Sequence, residues 1–163
     1  ISQSNLRLLE IDYELKNYNN VIDMATSLLE GDVFSKKEST RISFLQAMSY
    51  LSKDLYSPAI QCFILISDNS SGLDRAKSLY YISFCYYKLN NYEKSKAFIF
   101  ELVNNLPSYD LWVSKAVILL AKNYIEEEDF FQAKYILDEL MIKYSDQQII
   151  NEAIILLNSI DNE

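Results

Sequence analysis

The sequence predicts an all-α fold of four helix hairpins and a closing helix, and three observations carry that prediction. The 163 residues include only two Gly and two Pro, too little turn chemistry for a succession of β-hairpins. A common pattern recurs at Tyr18, Tyr56, Tyr92 and Phe130, at spacings of 38, 36 and 38 residues. Within each recurrence the apolar residues fall at helical intervals rather than alternating.

Three residues after each marker aromatic stands a small or slim residue: Val21, Ala59, Ser95 or Ala133. Seven after it come Ala25, Phe63, Ile99 and Leu137, and ten after it Leu28, Ile66, Leu102 and Leu140. These offsets describe one face of a helix that begins at the aromatic. Six residues before it lie Asp12, Tyr50, Tyr86 and Tyr124, and nine before it Leu9, Ala47, Ser83 and Ala121, so another helix precedes the first. Between the two sits a polar corner: Lys16-Asn17, Lys53-Asp54, Asn90-Asn91 or Glu128-Asp129. Asn and Asp tolerate left-handed backbone there and can cap the next helix. Small residues on the facing positions let the paired helices approach closely. One such hairpin cannot bury its apolar face alone, whereas stacked hairpins can.

In chain order the predicted helices are about 3–16, 19–30, 37–53, 56–68, 73–89, 92–105, 109–126, 130–144 and 147–160. The breaks Gly31-Asp32-Val33-Phe34-Ser35, Asp68-Asn69-Ser70-Ser71-Gly72 and Leu106-Pro107-Ser108 separate the units. Those units run over about 2–35, 40–72, 76–109 and 114–146 of a single domain, 1–163. Pro58 falls in a first helical turn, where its missing N–H costs nothing. The last helix carries Ile149, Ile150, Ala153, Ile154, Leu157 and Ile160 on an apolar stripe, with Glu152, Asn158 and Asp161 elsewhere. It is expected to lie on the fourth hairpin and cap the stack. No comparable cap precedes residue 3 and the first residue is Ile1, so the chain reads as a fragment or mature form, its first hairpin covered by further repeats or a partner.

In the third unit Leu79, Ile82, Ser83, Tyr86, Tyr92, Ser95, Ile99, Leu102 and Pro107 stand in the order of a W-x2-L-G-x2-Y pattern followed by A, F and P positions. This resembles the tetratricopeptide repeat family. The fourth unit follows with Val117, Leu120, Ala121, Tyr124, Phe130, Ala133, Leu137 and Leu140, and the second with Ala47, Tyr50, Tyr56, Ala59, Phe63 and Ile66. The first unit has Asp12 at the Tyr position and Val21 at the Ala position. A period longer than the family's is similar to that of bacterial cell-envelope repeat proteins. The resemblance covers residues 3–160 and implies a right-handed α–α superhelix, a TPR-like solenoid.

It also implies a concave groove lined by the first helix of each hairpin. Carried over position by position, the groove takes Phe44, Met48 and Leu51 from the second unit, with Arg41, Leu45 and Ser52 beside them. The third unit gives Lys77, Tyr80, Tyr81, Phe84, Tyr87 and Lys88, and the fourth Lys115, Lys122, Ile118, Leu119, Ile125 and Glu126. Such a surface suits a helix or extended peptide with apolar anchors. The same rings at helical spacing could equally pack as core. Arg41, Lys77 and Lys115 share one family position, either as a row attractive to an acidic peptide or as solvated surface charges. The family's carboxylate clamp is absent, because Met48, Phe84 and Lys122 replace its Asn residues.

Composition narrows the function further. Fifteen Lys and Arg against 23 Asp and Glu give a net charge of −8, a poor match to a phosphate backbone. With no His, the commonest general base and metal ligand is missing. Cys62 and Cys85 form no CxxC, which leaves two buried thiols or a disulfide as the readings. Glu126-Glu127-Glu128-Asp129 lacks the Gly and alternating ligands of a calcium loop, and reads as helix capping plus solvated charge. Asn69-Ser70-Ser71 matches a glycosylation sequon inside a turn. No run of apolar residues is long enough to span a membrane.

The expected function is therefore a non-enzymatic scaffold, without cofactor or metal, that binds a protein, a peptide or a subunit of a larger complex through the groove or the solenoid ends. A periplasmic or cell-envelope setting is favoured over the cytoplasm. The alternative is a peptide-sensing regulatory domain that controls an attached output module, which an upstream DNA-binding helix-turn-helix would favour.

Overall fold

Left-handed backbone at four non-glycine residues sets the repeat. Lys16, Asp54, Asn90 and Glu128 have φ of 60°, 56°, 56° and 61°, and each stands two residues before a marker aromatic. The N–H that follows each one reaches back five residues: Asn17 to the Asp12 carbonyl at 2.8 Å, Leu55 to Tyr50 at 2.9 Å, Asn91 to Tyr86 at 2.9 Å and Asp129 to Tyr124 at 2.8 Å. This pairing satisfies carbonyls that the ending helix leaves without partners. The same residues open the next helix. Their carbonyls accept from Val21, Ala59, Ser95 and Ala133 at 3.1, 3.2, 3.0 and 3.1 Å. The first unit, with the least conforming sequence, shares this geometry. Two of the left-handed positions hold Lys and Glu rather than Asn or Asp, so helix packing imposes the conformation even where a Cβ opposes it by roughly 1 kcal/mol.

The computed structural model describes residues 2–31 and 34–161; Asp32 and Val33 of the first predicted break lie outside the described residues. Among those described there are nine helices and no strand. They are α1 (Ser2–Glu14), α2 (Tyr18–Glu30), α3 (Lys36–Ser52), α4 (Tyr56–Asn69), α5 (Gly72–Lys88), α6 (Tyr92–Asn105), α7 (Asp110–Glu126), α8 (Phe130–Lys143) and α9 (Gln147–Asp161). The predicted helices match within two residues. Several starts are fixed locally. Ser35 and Glu38 form a reciprocal capping box on α3, Asn91 and Asp129 accept from the Lys94 and Gln132 N–H groups, and Asp146 accepts from those of Gln148 and Ile149. Gly72, with φ of 62°, makes the turn into α5.

The chain divides into two units, Ile1–Ser78 and Leu79–Glu163, with the boundary inside α5. In the first, α1 packs on α2 and α3, and α3 on α2 and α4. Leu9, Val21, Ala25, Ile42 and Leu45 form its buried cluster, with Leu6, Tyr13 and Leu28 against them. A polar chain crosses the same unit. Gln46 donates to Thr26 Oγ1 at 2.8 Å and accepts from the Cys62 thiol at 3.7 Å, which links α2, α3 and α4.

In the second unit, α7 packs on α6, α8 and α9, and α9 also on α8. Its cluster comprises Ile118, Ala121, Ala133, Leu137, Leu140, Ile149, Ala153 and Ile160. Tyr86 and Phe98 stack across the α5–α6 hairpin at 5.8 Å. Buried Asn123 of α7 donates to Ser95 Oγ of α6 at 3.0 Å. The closing helix uses a stripe slightly different from the predicted one: Leu156 joins Leu157 against the core, while Ile154 is exposed. The fold is all-α, and within each unit the helices α1 to α4 and α6 to α9 pack consecutively, as in an α-solenoid.

Candidate functional site

The ten groove residues named from sequence are all half-buried, neither sealed in the core nor free in solvent. Most of them line two concavities, one in each unit. The larger, of about 400 Å³, belongs to the second unit. Helix α5 gives it Tyr80, Phe84, Tyr87 and Lys88, and α7 gives Lys115, Ile118, Leu119, Lys122, Ile125 and Glu126. Both sets follow three- and four-residue spacing, so one face of each helix turns inward. The third wall is α9, through Gln148, Ile149, Glu152, Leu156 and Ser159.

Its acids are engaged and part of its positive charge is not. Lys122 Nζ meets Glu152 Oε1 at 2.6 Å, and the Tyr87 hydroxyl donates to Glu126 Oε1 at 3.1 Å. Lys88 and Lys115 have no carboxylate partner among the described residues. They lie over aromatic rings instead, Lys88 5.6 Å from Phe84 and Lys115 5.0 Å from Trp112. Burial, reinforced by Tyr81 and Glu152, pushes the Tyr80 hydroxyl up to about 12. Burial and then the Glu126 carboxylate do the same for Tyr87, again to about 12. Both phenols stay neutral donors across the physiological range.

Tyr81 lines neither concavity. It packs behind the wall, 5.3 Å from Tyr80 and 5.7 Å from Trp112, while Tyr80 also meets Trp112 at 5.5 Å.

The first unit's concavity, of about 330 Å³, is lined by Tyr13, Lys37, Thr40, Arg41, Phe44, Leu45, Met48, Asp74 and Lys77. Arg41 is tied to Glu10 at 2.8 Å. Lys77 sits 5.8 Å over Phe44, whose ring meets Phe63 edge-on at 5.7 Å. Leu51 lies outside it. Of the three basic residues at the shared family position, Arg41 is exposed and ion-paired, and Lys77 and Lys115 are half-buried against aromatic faces.

The acidic run is exposed and caps α8 through Asp129, as its sequence suggests, and its other members have further partners. Glu126 serves Tyr87, Glu127 binds Lys96 at 2.5 Å, Glu128 makes the left-handed corner and Asp129 caps α8. Among the described residues no three His, Cys, Asp or Glu are grouped to hold a metal, and no helix is long and apolar enough to cross a membrane. Both cysteines are free. Burial raises both thiols, Cys85 to about 12, which removes the thiolate needed for attack.

Sequence reasoning missed the α9 wall and Trp112. Gln148, Glu152, Leu156 and Ser159 recur at helical spacing beside the apolar stripe, a signal that was available. The meeting of Trp112 with Tyr80 and Tyr81 was not, because it depends on the approach of two helices. Compared with known proteins, the chain matches no protein-family model and no curated protein.

Proposed function

We propose that the chain is a non-catalytic, tetratricopeptide-like interaction scaffold, and that the second unit's concavity takes a peptide segment with an apolar or aromatic anchor and a nearby carboxylate. One observation carries this reading. An open hollow of mixed apolar and polar lining holds three half-buried aromatic rings together with two lysines, Lys88 and Lys115, that no carboxylate among the described residues neutralises. Rings supply rigid contact area at small entropic cost. A lysine with no ion pair supports a ligand carboxylate at the rim. The protonated phenols of the hollow and the two thiols, raised by burial, offer no activated nucleophile, which supports binding rather than catalysis. The 36–38-residue period supports a cell-envelope setting.

Selection of a random peptide library on the immobilised chain tests the proposal. Enriched peptides should combine an aromatic or aliphatic anchor with Asp, Glu or a free C-terminus, and Lys115→Glu should weaken them. Enrichment without either feature, or binding indifferent to Lys115→Glu, contradicts it.

A further inference from the structure

The four second helices, compared at matched positions, differ on one face. One, five and twelve residues after the marker aromatic stand Asn19, Asp23 and Glu30 in α2, Ser57, Gln61 and Asp68 in α4, and Glu93, Ala97 and Asn104 in α6. In α8 the same positions hold Phe131, Tyr135 and Ile142. Their exposures are 78%, 58% and 81%. With exposed Asp138 they fall within an arc of about 60° at 3.6 residues per turn, so they make one stripe. On the other three helices this face carries one exposed ring, Phe100 of α6, at the position of Asp138; α8 gives water two aromatic rings and an isoleucine, the mark of an interaction site.

We propose that this stripe pairs antiparallel with the α8 of a second copy of the chain. A twofold axis passing between residues 136 and 137 sets Phe131 of one copy against Ile142 of the other, and Tyr135 against Asp138, each pair occurring twice. Apolar surface then meets apolar surface, and the Tyr135 hydroxyl donates to a carboxylate that only accepts. A parallel pair would oppose Asp138 to itself, two like charges. At the flanks, like side chains of the two copies lie near one another. Lys134 is already held by Asp161 at 2.5 Å, and Glu139 remains at the solvated rim. One helix pair lies at the low end of the roughly 1,200–2,000 Å² of standard interfaces, so the dimer is weak. Each copy carries −8, and screening that repulsion strengthens association, the reverse of a partner held by opposite charge.

Sedimentation velocity from about 10 µM to about 1 mM tests this. The wild type should pass from monomer to dimer, more readily at about 0.5 M than at about 0.05 M salt. The double variant Phe131→Ser with Ile142→Ser should stay monomeric throughout with an unchanged circular dichroism spectrum. Mixing Phe131→Cys chains with Ile142→Cys chains should give a crosslinked heterodimer in excess of either homodimer, which reports the antiparallel register. A wild type that stays monomeric over the whole range overturns the proposal, as does a double variant that dimerises equally. Excess homodimer crosslinking overturns it too. These readouts leave the concavity untouched, so their failure and that of the peptide-binding proposal are distinguishable.

Discussion

The Tyr92 hydroxyl donates to Asn90 Oδ1 at 3.1 Å, and Asn90 is the left-handed residue that ends α5. Tyr56 makes the same clasp on Asp54 at 2.7 Å. In these two hairpins the marker aromatic holds the corner that precedes it. Lys16 offers Tyr18 no acceptor, and Phe130 has no hydroxyl to offer Glu128. The corners therefore respond differently to glycine. Glu128→Gly should stabilise by about 0.5–1 kcal/mol, by relieving the Cβ at positive φ. Asn90→Gly gains the same relief but loses a hydrogen bond worth about 0.5–1.5 kcal/mol, so it should be neutral or destabilising. Urea midpoints at constant slope compare the two; equal gains would mean that the clasp contributes nothing.

Ala59 and Ala133 sit fully buried where paired helices meet, whereas Lys36 and Lys143 are exposed. Enlarging either alanine to Leu should cost about 1–3 kcal/mol through overpacking. Lys36→Ala and Lys143→Ala should stay within about 0.5 kcal/mol of wild type. Denaturation of the four variants checks both halves, and undisturbed alanine variants would contradict the shared frame.

Tyr80 and Tyr87 ionise near 12 in the folded chain against an ordinary 10.0. A raised acid holds its proton longer when folded, so its stabilising contribution is complete below pH 10 and is lost as pH rises toward 12. Cys85, raised from 9.0 to about 12, adds a loss of the same sign that begins near pH 9. Unfolding followed across this range should show falling stability, with a shallower fall in Tyr80→Phe. A native phenolate titration in which every tyrosine ionises near 10 would contradict the burial.

Ile149, Ala153 and Ile160 of α9 bury Leu137, Leu140 and Ala133 in one cluster. Removing residues 147–163 should expose that surface and cause association or loss of cooperative unfolding. Light scattering and a melt read the result; a truncated chain that stays monomeric and equally stable would make α9 an appendage.

Hairpin count, helix order and corner positions were all legible in the sequence, because a repeat states its rule four times and each copy checks the others. The positions three and seven after the marker aromatic, and nine before it, are buried throughout. Even Asp12, which breaks the aromatic pattern, gives its carbonyl to the Asn17 N–H like its counterparts, and its carboxylate also accepts from the Asn17 side-chain amide at 2.9 Å, so the backbone rule survives there. The groove was partly legible. The fourth unit's six positions all line one concavity, yet Tyr81 is spent on Trp112 and Leu51 reaches neither hollow. Helical spacing tells which face a residue is on; whether a second helix already covers that face depends on approach distances that no single helix encodes.

The account rests on the concavity of the second unit, and Phe84, half-buried on its wall beneath Lys88, tests it most directly. Binding of library-selected peptides to Phe84→Ala should be measured beside a thermal melt of the same sample. The account predicts that affinity falls by about 2 kcal/mol or more, as for a central aromatic anchor, while stability falls by less than the roughly 3–5 kcal/mol of a core phenylalanine. Unchanged peptide binding together with a core-sized loss of stability would contradict it.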